Sequence, residues 1–171
     1  MTKTKKPIKV AFIFLIILII LFNAFWFLNN SLVYSKYKKA VGYNAQSRDY
    51  SINKDGYLYY VKTPSYPQFT GNLSITKEVR LKEGSKSIYS CDIIIWPSLF
   101  GKSEIGITIE KYEAKTTNDM TGMDMQHLLT CYVDENLNLI GNYTNEQKKV
   151  FEENYTLVQE TWSHTKEVFK I

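Results

Sequence analysis

The sequence predicts an α+β protein, with an N-terminal transmembrane helix followed by a small, mostly antiparallel β-sheet domain closed by a long C-terminal amphipathic helix. Three observations predict this fold. Residues 10–28 carry no charge, apolar and polar residues alternate from residue 57 onward, and from residue 144 the apolar spacing becomes that of an α-helix. Several strands followed by a helix that packs on them are typical of α+β domains.

The uncharged residues 10–28, called the apolar segment below, have the length of a membrane span. At about 1.5 Å per helical residue they extend about 28 Å, close to the roughly 30 Å hydrocarbon thickness of a bilayer. A cleaved signal peptide, the alternative, has an apolar region of about 7–15 residues followed by small residues. Here the run is longer and ends in Phe25, Trp26 and Phe27. We therefore expect a retained signal-anchor helix in contact with the lipid bilayer.

Lysines flank the apolar segment, and the larger group precedes it: Lys3, Lys5, Lys6 and Lys9 before, and Lys36, Lys38 and Lys39 after. The positive-inside rule then favours a cytoplasmic N-terminus in a single-pass protein of the cell membrane. The expected domains are a cytoplasmic basic tail (1–9), the anchor helix (10–28), a juxtamembrane helix and linker (29–56), and an extracytoplasmic α+β domain (57–171). A high content of Lys, Ile and Asn favours a bacterial cell envelope.

The net charge of +4 does not indicate a nucleic-acid partner. Four of the 21 basic residues precede the apolar segment and all 17 acidic residues follow it, so the larger part of the chain is balanced in charge. Nucleic-acid binding domains concentrate basic residues on one surface. The basic excess is instead a signal for membrane topology.

Period-two alternation predicts the strands 57–62, 72–81, 87–96 and 104–114, and a further pair at 125–134 and 136–141. Residues 82–86 are expected to form a turn. The continuous apolar run at the end of 87–96 predicts a central strand buried on both faces.

The C-terminal segment changes to a helical period. Thr144 and Gln147 have the spacing of a capping box. An apolar stripe follows at intervals of three and four residues: Phe151, Tyr155, Val158, Trp162, Thr165 and Phe169. One long amphipathic helix is predicted, packed across a face of the sheet. A coiled-coil seam is the alternative for this stripe.

Cys91 and Cys131 are the two cysteines, and both lie in strand-like apolar segments. In an oxidising compartment a disulfide between them is expected. Two buried free thiols are the alternative.

A methionine-rich loop contains Met120, Met123, Met125 and His127. Thioether sulfur and imidazole are suitable ligands for Cu(I), and positions 123, 125 and 127 of a strand project to one face. The alternative is that these methionines fill gaps in the core.

Four of the 13 tyrosines, Tyr57, Tyr59, Tyr60 and Tyr66, occur close together and form the candidate recognition surface for an envelope protein or a glycan. Cross-strand packing is the alternative.

Catalytic motifs are missing from the sequence: it has no GxSxG, HExxH or CxxC. The stretch PSLFGKS resembles the end of a phosphate-binding loop, but Trp96 stands where that motif requires glycine. We therefore expect a non-enzymatic binding or structural module without a cofactor. The alternatives are Cu(I) handling and a hydrolase without a recognisable local motif.

Overall fold

The computed structural model of the 171-residue chain describes residues 5–79, 87–98, 101–117 and 120–171, and all of their side chains except those of 5–8, 115–117 and 120–122. Its elements are α1 (Lys5–Val41), β1 (Tyr50–Lys54), β2 (Tyr57–Lys62), β3 (Asn72–Lys77), β4 (Ser87–Trp96), β5 (Glu104–Thr117), β6 (Met120–Val133), α2 (Asn145–Glu153) and α3 (Tyr155–Phe169). The predicted α+β class is confirmed. The turn expected at 82–86 lies outside the described residues.

The strands form one six-stranded sheet in the order β1 to β6, and every neighbouring pair is antiparallel. Because each strand pairs with the next one along the chain, the connections need only reverse the chain direction. Strand ends therefore alternate between two ends of the sheet. Lys62, Asn72, Trp96 and Glu104 lie at one of them, called the near end below.

One face of the sheet and the helices enclose the core. Alternate residues of each strand from β2 to β6 are buried there, as the period of two requires: Tyr57, Tyr59, Val61, Leu73, Ile75, Cys91, Ile93, Ile95, Ile105, Ile107, Ile109, Leu129, Cys131 and Val133. Val33, Tyr34, Tyr37 and Val41 of α1 and Val158, Trp162 and Phe169 of α3 belong to the same cluster.

The opposite face of the sheet, called the open face below, is partly exposed. β4 was expected to be buried on both faces, but its burial alternates and Ile94 is only half-buried on the open face. Ile94 lies between Ser74 of β3 and Gly106 of β5. Such an arrangement is common in antiparallel sheets, which often keep one face in contact with solvent.

Helix α1 passes through two environments without a break. No glycine or proline interrupts residues 8–41, and Gly42, with φ +77°, ends the helix by donating its N–H to the Lys38 carbonyl at 2.8 Å. Within the described part of the chain, α1 is the one helix long and apolar enough to cross a membrane by length and composition. Its apolar window is fully outside the core, whereas Tyr34, Tyr37 and Val41 on one face of its last two turns are buried.

The later part of the segment 29–56, where a linker was expected, contains β1 and an isolated bridge between Asn44 and Asp49. A two-residue turn joins β1 to β2. Asp55 and Gly56 have φ values of 55° and 79° in this turn, the positive values that Asp-Gly adopts in tight hairpins.

The C-terminal stripe forms two helices rather than one. α2 begins with the predicted capping box, in which Gln147 donates its N–H to Thr144 Oγ1 at 3.3 Å and Thr144 donates its N–H to Gln147 Oε1 at 2.9 Å. Asn154 separates α2 from α3, and its side chain donates to the Val150 carbonyl at 2.9 Å. Local hydrogen bonds of this kind compete with a regular helix.

Residues 136–141 pair with β6 by one bridge, between Val133 and Leu139, instead of forming a full strand. Asp134 holds this turn because its carboxylate accepts N–H groups from Asn136 and Asn138 at 2.8 and 2.9 Å. Leu137 has a φ of 66°, a value that an extended strand does not contain.

Candidate functional site

The four tyrosines of the predicted recognition surface are not brought together. Tyr57 and Tyr59 are buried in the core, Tyr60 is half-buried on the open face, and Tyr66 is exposed beside α1. Burial raises the pKa of Tyr59 to about 12. The Tyr57 hydroxyl donates to Glu160 at 3.1 Å, and burial, followed by this bond, raises its pKa. Tyr57 and Tyr59 therefore have structural roles, as the cross-strand alternative stated.

Cys91 and Cys131 are both free and buried, so the expected disulfide is not formed. Cys91 pairs with Ile109 and Cys131 with Ile107, which places β5 between them. Two strand spacings separate β4 and β6 by about 9.6 Å, beyond the roughly 7 Å that a disulfide spans between Cα atoms. Burial raises the pKa values of Cys91 and Cys131 to about 12 and 11, which makes both thiols unreactive.

The predicted metal residues lie on β6, towards the end of the sheet opposite the near end. Met123, Met125 and His127 share one face of the strand, since they pair with Ala114, Tyr112 and Glu110. All three side chains are exposed, so these methionines do not fill gaps in the core. The Met120 side chain lies outside the described ones. Among the described residues, no group of three or more His, Cys, Asp or Glu side chains is placed to hold a metal ion.

The loop between β2 and β3, residues 63–71, lies along α1 at the near end of the sheet. Three hydrogen bonds fix it there. Trp26 Nε1 donates to the Gln68 carbonyl at 2.7 Å, Asn29 Nδ2 donates to the Phe69 carbonyl at 2.9 Å, and Gly71 donates its N–H to the Tyr34 hydroxyl at 2.8 Å. The loop therefore has a defined position on the helix.

Aromatic rings continue this contact towards the apolar segment. The aromatic cluster consists of Phe22, Phe25 and Trp26 of α1 and Tyr66 and Phe69 of the loop. Phe69 lies 5.2 Å from Phe22 and 5.4 Å from Phe25 between ring centroids, and Tyr66 lies 5.4 Å from Trp26. Edge-to-face and tilted pairs at such distances contribute about 0.5–1.5 kcal/mol each. Sequence reasoning missed this contact, although residues 63–71 carry no charge and contain two aromatic residues.

A polar group on the open face surrounds Asp92 of the central strand β4. Its neighbours on β3 and β5 are Thr76 and Thr108. Burial, followed by the charge of Glu110, raises the pKa of Asp92 to about 6. The Tyr112 hydroxyl donates to Glu110 at 2.6 Å. Sequence reasoning missed Asp92 as well. The feature that could have identified it is a single carboxylate within the apolar strand SIYSCDIIIW.

This polar group can bind hydrogen-bond donors, since two carboxylates and two threonine hydroxyls face the same side of the sheet. Partly exposed apolar residues border it on the same face: Leu58, Tyr60, Ile94 and Tyr132. The mixture of a polar centre with aromatic and aliphatic neighbours is typical of protein and glycan binding surfaces.

A cleft of about 500 Å³ lies at the near end, between the start of β5 and the end of β6. Lys102, Glu104, Tyr132, Asp134 and Ile140 are among the residues that line it. Hydrogen bonds from Asn138 hold the pKa of Asp134 below its usual range. Asp134 thus stabilises the turn that forms one wall of the cleft.

Comparison with protein families, characterised proteins and solved structures shows no significant match for this chain.

Proposed function

We propose that this chain is a single-pass membrane-anchored module of the bacterial cell envelope, whose extracytoplasmic sheet domain binds an envelope protein or a glycan and carries out no reaction. One observation carries the proposal. Within the uninterrupted helix α1, residues 10–28 are apolar except for Asn23 and exposed except for the half-buried Trp26. Tyr34, Tyr37 and Val41 in the last turns belong to the domain core.

The exposed apolar segment favours a lipid environment. Burial of apolar surface contributes about 25 cal/mol per Å², and soluble proteins rarely expose a contiguous apolar patch of more than a few hundred Å². Here large aliphatic and aromatic side chains are exposed at nearly every position from Val10 to Leu28. A bilayer supplies apolar contacts around the whole circumference of such a helix.

The flanking charges support a cytoplasmic N-terminus. A short tail with four lysines precedes the segment, and such tails are retained in the cytoplasm more readily than large domains are. Residues 30–171 then lie outside the cytoplasm, and Trp26 is at the level of the outer interface, where aromatic residues are enriched.

Topology mapping on the full-length chain tests the anchor. In intact cells of a bacterial expression host, a membrane-impermeant thiol reagent should label Leu58→Cys and should not label Lys3→Cys. The chain should also remain in the membrane pellet after alkaline carbonate extraction. Labelling of position 3 alone, or release of the full-length chain by carbonate, would contradict the proposal.

The open face is the proposed binding surface. A pull-down from solubilised membranes with the intact chain should recover a partner that the double variant Tyr60→Ala, Tyr132→Ala loses. Tyr89→Ala is the matched control. Tyr89 is an exposed tyrosine, but it lies on the opposite face of the sheet, the face to which Cys91 and Ile93 of the same strand belong. Equal recovery with the double variant would exclude the open face as the binding surface.

Cu(I) handling is the second candidate function, and the exposure of Met123 and Met125 favours it. Two thioethers and the imidazole of His127 on one strand face offer soft ligands to Cu(I). Titration with Cu(I) under reducing conditions should show a site that the double variant Met123→Leu, Met125→Leu loses and Tyr89→Leu keeps. Unchanged affinity in the double variant would exclude this function.

A further inference from the structure

We propose that the β2–β3 loop, residues 63–71, is a second membrane contact, whose aromatic side chains lie in the outer interface of the bilayer and fix the orientation of the domain. The inference rests on the proposed membrane anchor and adds a lipid-binding surface to it. The partner of this surface is the bilayer that holds α1.

The level of the loop along α1 follows from its ring contacts. Tyr66 lies 6.2 Å from Phe22, and Phe69 lies 5.2 Å from the same ring. Phe22 precedes Leu28, the end of the apolar segment, by about 9 Å along the helix axis at 1.5 Å per residue. The tip of the loop is therefore beside the part of α1 that the outer leaflet surrounds.

A groove lies between the tip of the loop and the helix. Tyr66 lines it together with Leu18, Ile19, Leu21, Phe22 and Asn23 of α1. Tyr66 is 58% exposed, so its ring contacts the helix on one side and is open to the surroundings on the other. A phenol ring with an apolar body and a polar hydroxyl is suited to the boundary between hydrocarbon and water.

Several backbone polar groups of the loop have partners inside the protein, which lowers the cost of placing them in a membrane. Pro64 and Pro67 have no N–H to satisfy. Gln68 donates its N–H to the Ser65 carbonyl at 2.6 Å. The carbonyls of Gln68 and Phe69 accept from Trp26 and Asn29, and the Gly71 N–H is bonded to Tyr34.

Charge supports the same partner. Residues 63–71 contain no Lys, Arg, Asp or Glu, so no charge has to be removed from water when the loop enters the interface. The contact is with the apolar and interfacial layers, not with anionic headgroups. It should therefore form in zwitterionic vesicles and should not weaken in high salt.

The consequence is a fixed orientation of the sheet. Because the loop is bonded to α1 at the near end, the near end faces the membrane. β5 runs from Glu104 at the near end to Thr117, and β6 returns from Met120. Thr117 at the end of β5 and Met120 at the start of β6 are then directed away from the bilayer, and the strands lead away from the membrane surface.

Depth measurement with nitroxide labels tests the inference. Full-length chains carrying Gln68→Cys or Tyr66→Cys are labelled and reconstituted in phosphatidylcholine vesicles. Accessibility to oxygen, which concentrates in hydrocarbon, is compared with accessibility to a water-soluble nickel chelate. The ratio of oxygen to nickel accessibility should be severalfold higher at positions 66 and 68 than at Leu58→Cys, an exposed position of the open face. High salt should not change it.

Leu15→Cys in the apolar segment distinguishes failure of the loop's lipid contact from failure of the membrane anchor itself. A high ratio at position 15 with water-like ratios at 66 and 68 overturns the lipid contact and leaves the anchor intact. A water-like ratio at position 15 overturns the anchor and the inference together. The parental chain serves as the labelling control, since Cys91 and Cys131 are buried and should take up no label.

Discussion

Gly71 donates its backbone N–H to the hydroxyl of Tyr34 at 2.8 Å, and both groups are buried. The bond joins the residue that ends the β2–β3 loop to the first turn of α1 that enters the core. It lies between the two environments of the helix, with the exposed apolar segment before it and the sheet domain after it. The pair is one of three hydrogen bonds that fix the β2–β3 loop on α1, and the buried one among them.

Tyr34→Phe should destabilise the domain by about 1–3 kcal/mol, because it leaves the buried Gly71 N–H without an acceptor. Urea denaturation of the detergent-solubilised full-length chain, followed by circular dichroism of the sheet, would measure the loss. Tyr43→Phe is the control, since Tyr43 is 61% exposed, and it should change stability by less than about 0.5 kcal/mol. Equal effects of the two variants would show that the bond contributes nothing specific.

Gly71→Ala should have a larger effect than Gly106→Ala. A Cβ at position 71 would lie 2.1 Å from the backbone carbonyl oxygen of Lys62, so the backbone of the loop has to move. A Cβ at position 106 would lie 2.9 Å from the ring of Trp96, a half-buried side chain that can shift on the open face. We expect a loss of about 3 kcal/mol or more at position 71 and about 1 kcal/mol at position 106, measured by the same denaturation. The reverse order would contradict the described path of the loop.

The strands with clear period-two patterns were predictable, and those that depend on tertiary pairing were not. β2 and β4 have the predicted bounds because alternating residues such as Tyr57 and Tyr59 must enter one core. β1 was missed since its five residues are half-buried or exposed and give no hydrophobic pattern. The Asp55-Gly56 dipeptide was the available signal for that hairpin.

The candidate sites were less predictable than the strands, because they depend on which residues meet across the fold. Tyr66 follows Tyr57, Tyr59 and Tyr60 closely in the sequence. In the fold, however, Tyr57 and Tyr59 point into the core, and Tyr66 lies in a loop that contacts α1. Likewise, the pairing of Cys91 and Cys131 depended on strand order. β5 lies between the two cysteines and excludes a disulfide. No local sequence pattern encodes this order of the strands.

Both cysteines should be measurable as free thiols. A chromogenic thiol reagent should detect two thiols per chain after denaturation without a reductant, and almost none in the folded chain, because burial raises the pKa of each thiol well above neutral pH. Disulfide formation would appear as the loss of both thiols in the denatured, unreduced sample. That result would require β4 and β6 to be neighbours and would contradict the strand order.

Asp92 should make the stability of the domain depend on pH in a direction opposite to that of most carboxylates. Burial and the charge of Glu110 raise its folded-state pKa to about 6 from the ordinary value of 3.8. The folded chain therefore holds this proton more tightly than the unfolded chain does. The contribution of Asp92 to the free energy of unfolding is fully present below about pH 4 and is lost as the pH rises through about 6.

Asp92→Asn isolates this contribution, because the amide stays neutral at every pH. The free energy of unfolding of Asp92→Asn minus that of the parental chain should increase between pH 4 and pH 7 and then level off, as measured by urea denaturation at several pH values. Glu110→Gln should move the midpoint of the parental dependence to lower pH, since it removes the second cause of the shift. A difference that stays constant with pH would contradict the raised pKa, because it would show that Asp92 ionises as readily in the folded chain as in the unfolded one.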